Sequence, residues 1–406
     1  MAIEKVDGVE NLDAPQGVTS IEIEEAPIGD NITEMDDGSV VIGEMEEQIA
    51  PIQVPFNANL AEFIDDTELG RISSEMVNEV QEDINSRKEW EDQYKSGLEL
   101  LGMNYEDRAE PFEGASGIVH PLLAESVTQF QAQAYRELLP AGGPVKTAII
   151  GQETPEVTAQ AERVKNFMNY QITYEMEEYD PELDQMLFYL PIVGSSFKKV
   201  YFDPSLQRAV SKFVHAEDLI VPYNATDLKT STRICHVIRM DSNEIRKLQL
   251  SGFYKDIELP TSDSDGANYD EVRETIKDIE GIHSESSYNE ELTLYEIHTD
   301  LDLPGFEDQN QMGENTGLKM PYIVTIVEKS GEVLSIKRNF NEADPLRSKI
   351  PYFVHYKFLP GLGFYGFGLT HMIGGLSRAS TSILRQLIDA GTLSNLPAGF
   401  KARGAR

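Results

Sequence analysis

The sequence predicts an α+β fold: helices gathered in the first half, antiparallel strands after them, and one long helix near the end. Apolar residues recur at threes and fours through most of the stretch from Ile72 to Gly194, the period of helices buried on one side. From Ser195 the texture changes to short runs rich in β-branched and aromatic residues, bounded by turn signals. Runs of helices followed by runs of strands give α+β, whereas strict alternation would give a doubly wound parallel sheet.

The elements follow in order. Residues 1–68 mix acids with Gly, Pro and Asn and hold no sustained period, so they read as an acidic, mostly disordered tail with strand-like islands such as "VTSIEIE". An α+β body follows over 69–360. Its first helix starts at Ser73 or Ser74, with Ile72, Met76, Val80, Ile84, Trp90, Tyr94, Leu98 and Leu101 as the buried stripe. After the loop "GMNYEDRAEPFEGASGIVH" a second helix runs from Pro121 until "PAGGP" ends it. "VKTAIIG" predicts a strand. Thr154 to about Met176 predicts a long helix with Val157, Ala161, Val164, Phe167, Met168 and Ile172 along one side, and a shorter helix follows from Pro181.

"SSFKKVYFD", "RAVSKFVH", "DLIVPY" and "STRICHVIRM" predict strands, and "DSNEIRKLQLSG" a short helix capped by Asp241 or Ser242. Residues 259–290 read as a polar insertion with at most a short helix at "YDEVRETIKDIEG". "ELTLYEIHTDLDL", then "YIVTIVEKSGEVLSIKRNF" turning at Lys329-Ser330-Gly331, then "IPYFVHYKF" complete an antiparallel sheet. A glycine loop and long helix occupy 361–392, and a terminal segment 393–406.

Composition excludes several classes of function. The net charge is −36, and residues 1–70 hold 18 acidic residues against the single Lys5. Such a chain does not grip nucleic acid by counterion release, which needs arrays of Lys and Arg. No apolar run approaches the roughly 18 residues of a membrane span. The single Cys235 excludes an intrachain disulfide, a thiolate zinc cluster and a CxxC redox pair, and suits a reducing compartment. The seven histidines never form HxH or HExxH, and no G-x-x-x-x-G-K-[ST] loop exists. In "SDSDGANYDE", Gly266 as sixth residue of a calcium loop would put Thr261 first and Val272 twelfth, where carboxylates are required. "EGASG" lacks the GxSxG spacing. No catalytic residue, metal ligand or cofactor is expected.

One motif points the other way. "GLGFYG" at 361–366 matches G-x-G-x-x-G and lies between a strand and a helix, the setting of a dinucleotide site. The context fails, however. The preceding strand closes an antiparallel series, Asp389 at the ribose spacing lies inside the helical pattern, and Phe364 and Tyr365 put two rings where backbone should approach pyrophosphate. Gly361, Gly363, Gly366 and Gly368 are therefore read as serving loop geometry, a sharp exit into the helix from Leu369. That helix carries Leu369, Met372/Ile373, Leu376, Ala379, Ile383, Leu387 and Ile388 on one stripe and Ser377, Arg378, Thr381, Ser382, Arg385, Gln386 and Asp389 on the rest. Its many small residues fit packing against copies of itself; an ordinary amphipathic core helix is the other reading.

Four stretches resemble a known family: "PFEGASGIVHPLLAESVTQFQAQAYRELLPAGGPVK" (111–146), "LFYLPIVGSSFKKVYFD" (187–203), "VHAEDLIVPYNATDL" (214–228) and "HYKFLPGLGFYGFGLTHMIGGLSRASTSILRQLIDAGTLSNLPAGF" (355–400). They are similar to the portal proteins of tailed bacteriophages, nearest to the large portals of short-tailed phages. The resemblance implies a structural protein of the virion with no enzymatic activity, a ring of about twelve copies at one capsid vertex. Through that ring double-stranded DNA is packaged and ejected without sequence recognition. It implies partners: the terminase large subunit, capsid and scaffolding proteins, and a neck or tail adaptor. It makes 361–392 the stem, with Arg378, Thr381, Arg385 and Gln386 facing the channel or a neighbouring copy. It makes 393–406 the start of the clip, with Lys401, Arg403 and Arg406 towards a partner or DNA. The family pattern has a second stem helix and a crown beyond Arg406, so the chain reads as lacking that part. A neck adaptor or minor capsid protein with a wing-like domain is the alternative, and a hydrolase using scattered carboxylates a distant third.

Overall fold

The computed structural model describes residues 32–34, 40–42, 54–102, 112–204, 206–260, 271–280, 291–309, 314–361 and 363–395. Backbone contacts divide the chain into two units, Met1–Val54 and Pro55–Arg406. In the first, β1 (Ile32–Glu34) pairs antiparallel with β2 (Val40–Ile42), Thr33 opposite Val41. The segment "VTSIEIE" lies outside the described residues.

The second unit starts with a buried anchor inside the stretch assigned to the tail. Asn59 Oδ1 accepts from Ala61 N (3.1 Å) and from Ile336 N (3.0 Å), while its Nδ2 donates to Leu334 O (3.0 Å). One side-chain amide thus stands in for a strand partner, and Leu60 and Ala61 beside it are fully buried. Three residues are too few to show a period, so sequence patterning missed them. The first helix, α1 (Asp66–Ser86), starts ahead of the expected Ser73 because Asp65 caps it, Oδ2 accepting from Thr67 N at 3.1 Å. The expected single stripe from Ile72 to Leu101 is split at Arg87 into α1 and α2 (Lys88–Glu99).

Helices α3 (Leu122–Leu138), α4 (Pro155–Tyr170) and α5 (Tyr179–Val193) follow, α4 continuing into a π-helical turn, Gln171–Glu175. The expected strand at "VKTAIIG" joins no sheet among the described residues, and Ile150 is 99% exposed. Its β-branched residues favour a strand, yet among the described residues it pairs with none.

Two antiparallel sheets come next. The first strands are β3 (Ser195–Asp203), β4 (Arg208–Val214), β5 (Leu219–Ile220) and β6 (Arg233–Asp241). Then come α6 (Ser242–Leu250) and α7 (Glu271–Glu280), the latter inside the predicted insertion with Val272 buried. After them run β7 (Glu291–Leu301), β8 (Met320–Val327), β9 (Val333–Arg338) and β10 (Phe353–Lys357), before the final helix α8 (Leu369–Asn395). The larger sheet is a meander in the order β5-β6-β7-β8-β9. The smaller has the order β10-β3-β4, so β10 leaves the meander and returns to β3, Phe353 opposite Lys199. This long-range pairing places the end of β10 beside the end of α5.

A buried cluster fastens the two sheets together. Lys199 Nζ on β3 donates to both oxygens of Glu296 on β7 (2.6 and 2.7 Å), and His298 Nε2 donates to Glu296 at 2.9 Å. Burial alone would raise the Glu296 carboxyl, but Lys199 and the bonds from His236 and His298 hold it well below the usual range. The expected α+β class is what the structure shows, with a long C-terminal helix.

Candidate functional site

The glycine loop is a plug. Leu359 and Phe367 exchange both backbone hydrogen bonds, Leu359 N to Phe367 O at 3.2 Å and the reverse at 3.0 Å, and so close the segment between them. Phe364 and Tyr365 at its tip are buried. Phe364 lies against Phe197 (ring centroids 5.9 Å apart) and His355 (4.6 Å), and Tyr365 stacks on Trp90 at 4.1 Å. The Tyr365 hydroxyl donates to Leu219 O (3.2 Å) and accepts from Arg87 Nη1 (3.1 Å). Arg87 itself is wholly buried at the α1–α2 break. It donates to Glu91 (2.8 Å), Glu217 O (2.6 Å) and Leu219 O (3.1 Å), and so ties the helices, the smaller strands and the plug at one point.

The glycines let backbones touch. Gly366 has φ +69°, and a Cβ on it would lie 2.7 Å from Leu359 O. A Cβ on Gly368 would lie 2.5 Å from Ile192 O and 2.7 Å from Pro191 O, and one on Gly361 3.0 Å from the Gly366 Cα. Around Gly363 there is open space. The volume a pyrophosphate would need at the helix start is filled by the end of α5 and by the two inward rings.

One pair nearby resembles a nucleophile with its base: Ser195 Oγ lies 2.9 Å from His355 Nε2. The hydroxyl proton, however, is given to the carbonyl of Tyr365, so the ring nitrogen is the donor and the serine is not activated. Burial, with Lys357 nearby, pushes the His355 imidazole down to about 3, which keeps it neutral. Among the described residues no group of three His, Cys, Asp or Glu is placed to hold a metal ion.

Helix α8 starts from this plug. Thr370 Oγ1 donates to Ile192 O (2.9 Å), and Gly374, Ser377 and Thr381 form the face pressed onto the body. These are small residues, and even a Cβ on Gly374 would sit 3.4 Å from a Leu100 methyl. Three of the four residues expected to face a channel or a neighbour have partners in their own chain. Arg378 Nη2 donates to Ser96 Oγ on α2, and Arg385 Nε donates to Ile118 O (2.7 Å). Thr381 Oγ1 accepts from His120 N (3.0 Å). Asp389, unassigned by sequence reasoning once the ribose role failed, accepts from Ser116 N at 2.7 Å. The loop before α3 therefore runs along the polar flank of α8. Among the described residues Gln386 bonds within its own helix, Nε2 to Ser382 Oγ at 3.4 Å. Lys401, Arg403 and Arg406 lie outside the described residues.

The apolar stripe is where the structure departs from a core helix. Leu369 and Ile373 pack on the core, but Met372 is 59% exposed, Leu376 62%, Ile383 66% and Leu387 70%. At about 100° per residue these four lie roughly opposite the buried face. Nothing in a sequence tells which of two usable faces the chain buries; here small residues won because they let α8 approach α2 and α5 closely.

Residues 205–405 match the family model of the phage SU10 portal protein. Over these residues the chain belongs to the phage portal family. Two of the four stretches that carry the resemblance, 214–228 and 355–400, lie within the match. No curated protein matches the chain. The portal family is a structural, non-enzymatic one, and membership implies a ring with head and tail partners at a capsid vertex. No helix among the described residues is long and apolar enough to cross a membrane.

Proposed function

We propose that the chain is the portal subunit of a tailed phage: copies close into a ring of about twelve at one capsid vertex, through which DNA is packaged and ejected. The ring also docks the terminase, capsid and scaffolding proteins, and the neck or tail adaptor. The observation that supports this reading is the two-faced α8, one face clamped to its own body, the other an exposed apolar stripe. A stripe that long on a water-soluble protein marks a surface covered by another protein. Around a ring each α8 covers its neighbour's stripe, a heterologous contact that closes by rotation.

The hydrogen bonds of Arg378 and Arg385 support reading them as anchors that fix the stem to its own wing, while Gln386, exposed and bonded among the described residues to its own helix, is the better channel-facing residue of the set. A duplex passing such a ring needs to slide. Net acidity supplies that, since repulsion of phosphate acts over about 8 Å at physiological salt. The test is negative-stain imaging and light scattering of the 406-residue chain beside Leu376→Glu/Leu387→Glu. The wild type is expected to form rings; the variant is expected to stay monomeric with an unchanged unfolding transition, because both side chains are exposed in the single chain. Rings of normal size from the variant would refute the stem assignment.

A further inference from the structure

A second surface on the same chain has the marks of an interface. Helix α4 has no buried residue at all. Alone, a helix of its length is marginal in water, and most helical stability comes from a packed face. Its attachments are few. Asn169 holds the incoming loop by accepting from Val145 N (2.9 Å) and donating to Val145 O (3.2 Å), and Thr147 Oγ1 donates to Ala161 O (3.2 Å). The side expected from sequence to be buried faces solvent instead: Val164 is 45% exposed, Phe167 58% and Met168 42%. The π-helical turn extends this surface with Tyr170 and Tyr174, stacked 5.8 Å apart and 51% and 74% exposed. Below them an open cleft of about 620 Å³ separates the turn from Tyr135 and the loop Pro140–Pro144. Aromatic residues and Met are the types enriched at protein interfaces.

Charge identifies the partner. The chain as a whole carries −36, yet residues 145–175 hold three basic and four acidic side chains. Two copies of so acidic a protein repel one another over most of their surface, and this arm is a place where they meet without that cost. We infer that the α4 arm, from the exposed segment at Ile150 to Tyr174, docks on a second copy of this chain, as a contact separate from the stem. The inference rests on the ring reading, since it supposes neighbouring copies, but it makes its own claim about α4. The segment preceding α4 fits the same role, since Ile150 stands 99% exposed in the single chain.

The single native cysteine makes the test clean. Cys235 is buried, and burial pushes its thiol far up, so it does not compete for a maleimide label. A Phe167→Cys variant of the full chain therefore carries one reactive thiol. Its labelling rate is expected to fall about tenfold or more between dissociated and assembled protein, as burial in an interface excludes the reagent. Val164→Asp/Phe167→Asp is expected to reduce the assembled fraction while the monomer unfolds as the wild type does. If rings form and the thiol at 167 reacts at the free rate, the arm is not an interface between copies and is left for a different protein, while the portal reading stands. If the wild type forms no assembly at any concentration, this inference falls together with the ring itself.

Discussion

Replacing Gly368 by Ala separates a geometric role of the glycine motif from a ligand-binding one. The added Cβ would sit 2.5 Å from Ile192 O, 2.7 Å from Pro191 O and 2.9 Å from Gly194 N, all backbone atoms that no side-chain rotation can clear. Something must move by most of an ångström, and overpacking of this kind costs about 1–3 kcal/mol. The start of α8 moves with it, straining the Thr370–Ile192 hydrogen bond (2.9 Å), worth about 1 kcal/mol. Against this, Gly→Ala narrows the unfolded ensemble and returns about 0.4–1 kcal/mol. The net expectation is a loss of about 2–3 kcal/mol, read as a lower urea midpoint at constant slope. Gly363→Ala is the control, with nothing within 4 Å of the added carbon, so it should be neutral or slightly stabilising. A dinucleotide site demands the reverse order, because Gly363 is the glycine at which backbone would approach the pyrophosphate. If Gly363→Ala is the costly change and Gly368→Ala costs under about 0.5 kcal/mol, or if NAD raises the melting temperature, the geometric argument is wrong.

Two further outcomes are expected. Arg87→Met keeps the volume but leaves Glu91 without its buried cation and removes the guanidinium donors from the carbonyls of Glu217 and Leu219; a loss of about 3–5 kcal/mol is expected in urea unfolding, and one below about 1 kcal/mol would mean that Arg87 is not the tie between helices and sheets. His355, with its imidazole pushed down to about 3, lets the unfolded chain bind a proton that the folded chain refuses, so its share of stability falls as pH drops from about 6.5 towards 3. His355→Phe keeps the ring against Phe197 and Phe364 and abolishes that share; between pH 7 and pH 5 the variant should lose about 2 kcal/mol less than the wild type, and parallel losses would show that His355 is protonated in the folded state.

What could be read from the sequence was periodic and local. The helices α3 and α5 and the strands from β3 to β9 follow the apolar patterns that predicted them, because each buries a face wide enough to repeat. The misses share a cause. Asn59 anchors the β9 edge through one amide, Arg87 breaks a continuous stripe while buried, and β10 pairs back to β3; in each the partner is distant in sequence and leaves no local signal. At the candidate site the rings of Phe364 and Tyr365 were legible as obstacles to a nucleotide, but their use as a plug depends on Trp90, Phe197 and Leu219, which only the fold brings together. The arm at 145–175 is a different kind of miss. Its pattern was read as one-sided, and the expected burial is absent from the single chain.

That last discrepancy links the two halves of the functional reading. An amphipathic pattern records that a face is buried without recording in what. Over α1 and α2 the stripe meets the chain's own core, whereas on α4 and at Met372, Leu376, Ile383 and Leu387 of α8 it stays exposed among the described residues. The exposed stripes also lie in segments of nearly balanced charge: α8 carries Arg378 and Arg385 against Asp389 within a chain of net −36. A monomer gains nothing from keeping two apolar, nearly neutral helices in water while concentrating acid elsewhere, because exposed apolar patches invite aggregation. The proposed ring would resolve the conflict: each copy presents two unlike surfaces, a closed ring would satisfy both at every subunit, and the surplus acid outside the contacts would keep finished rings apart from one another.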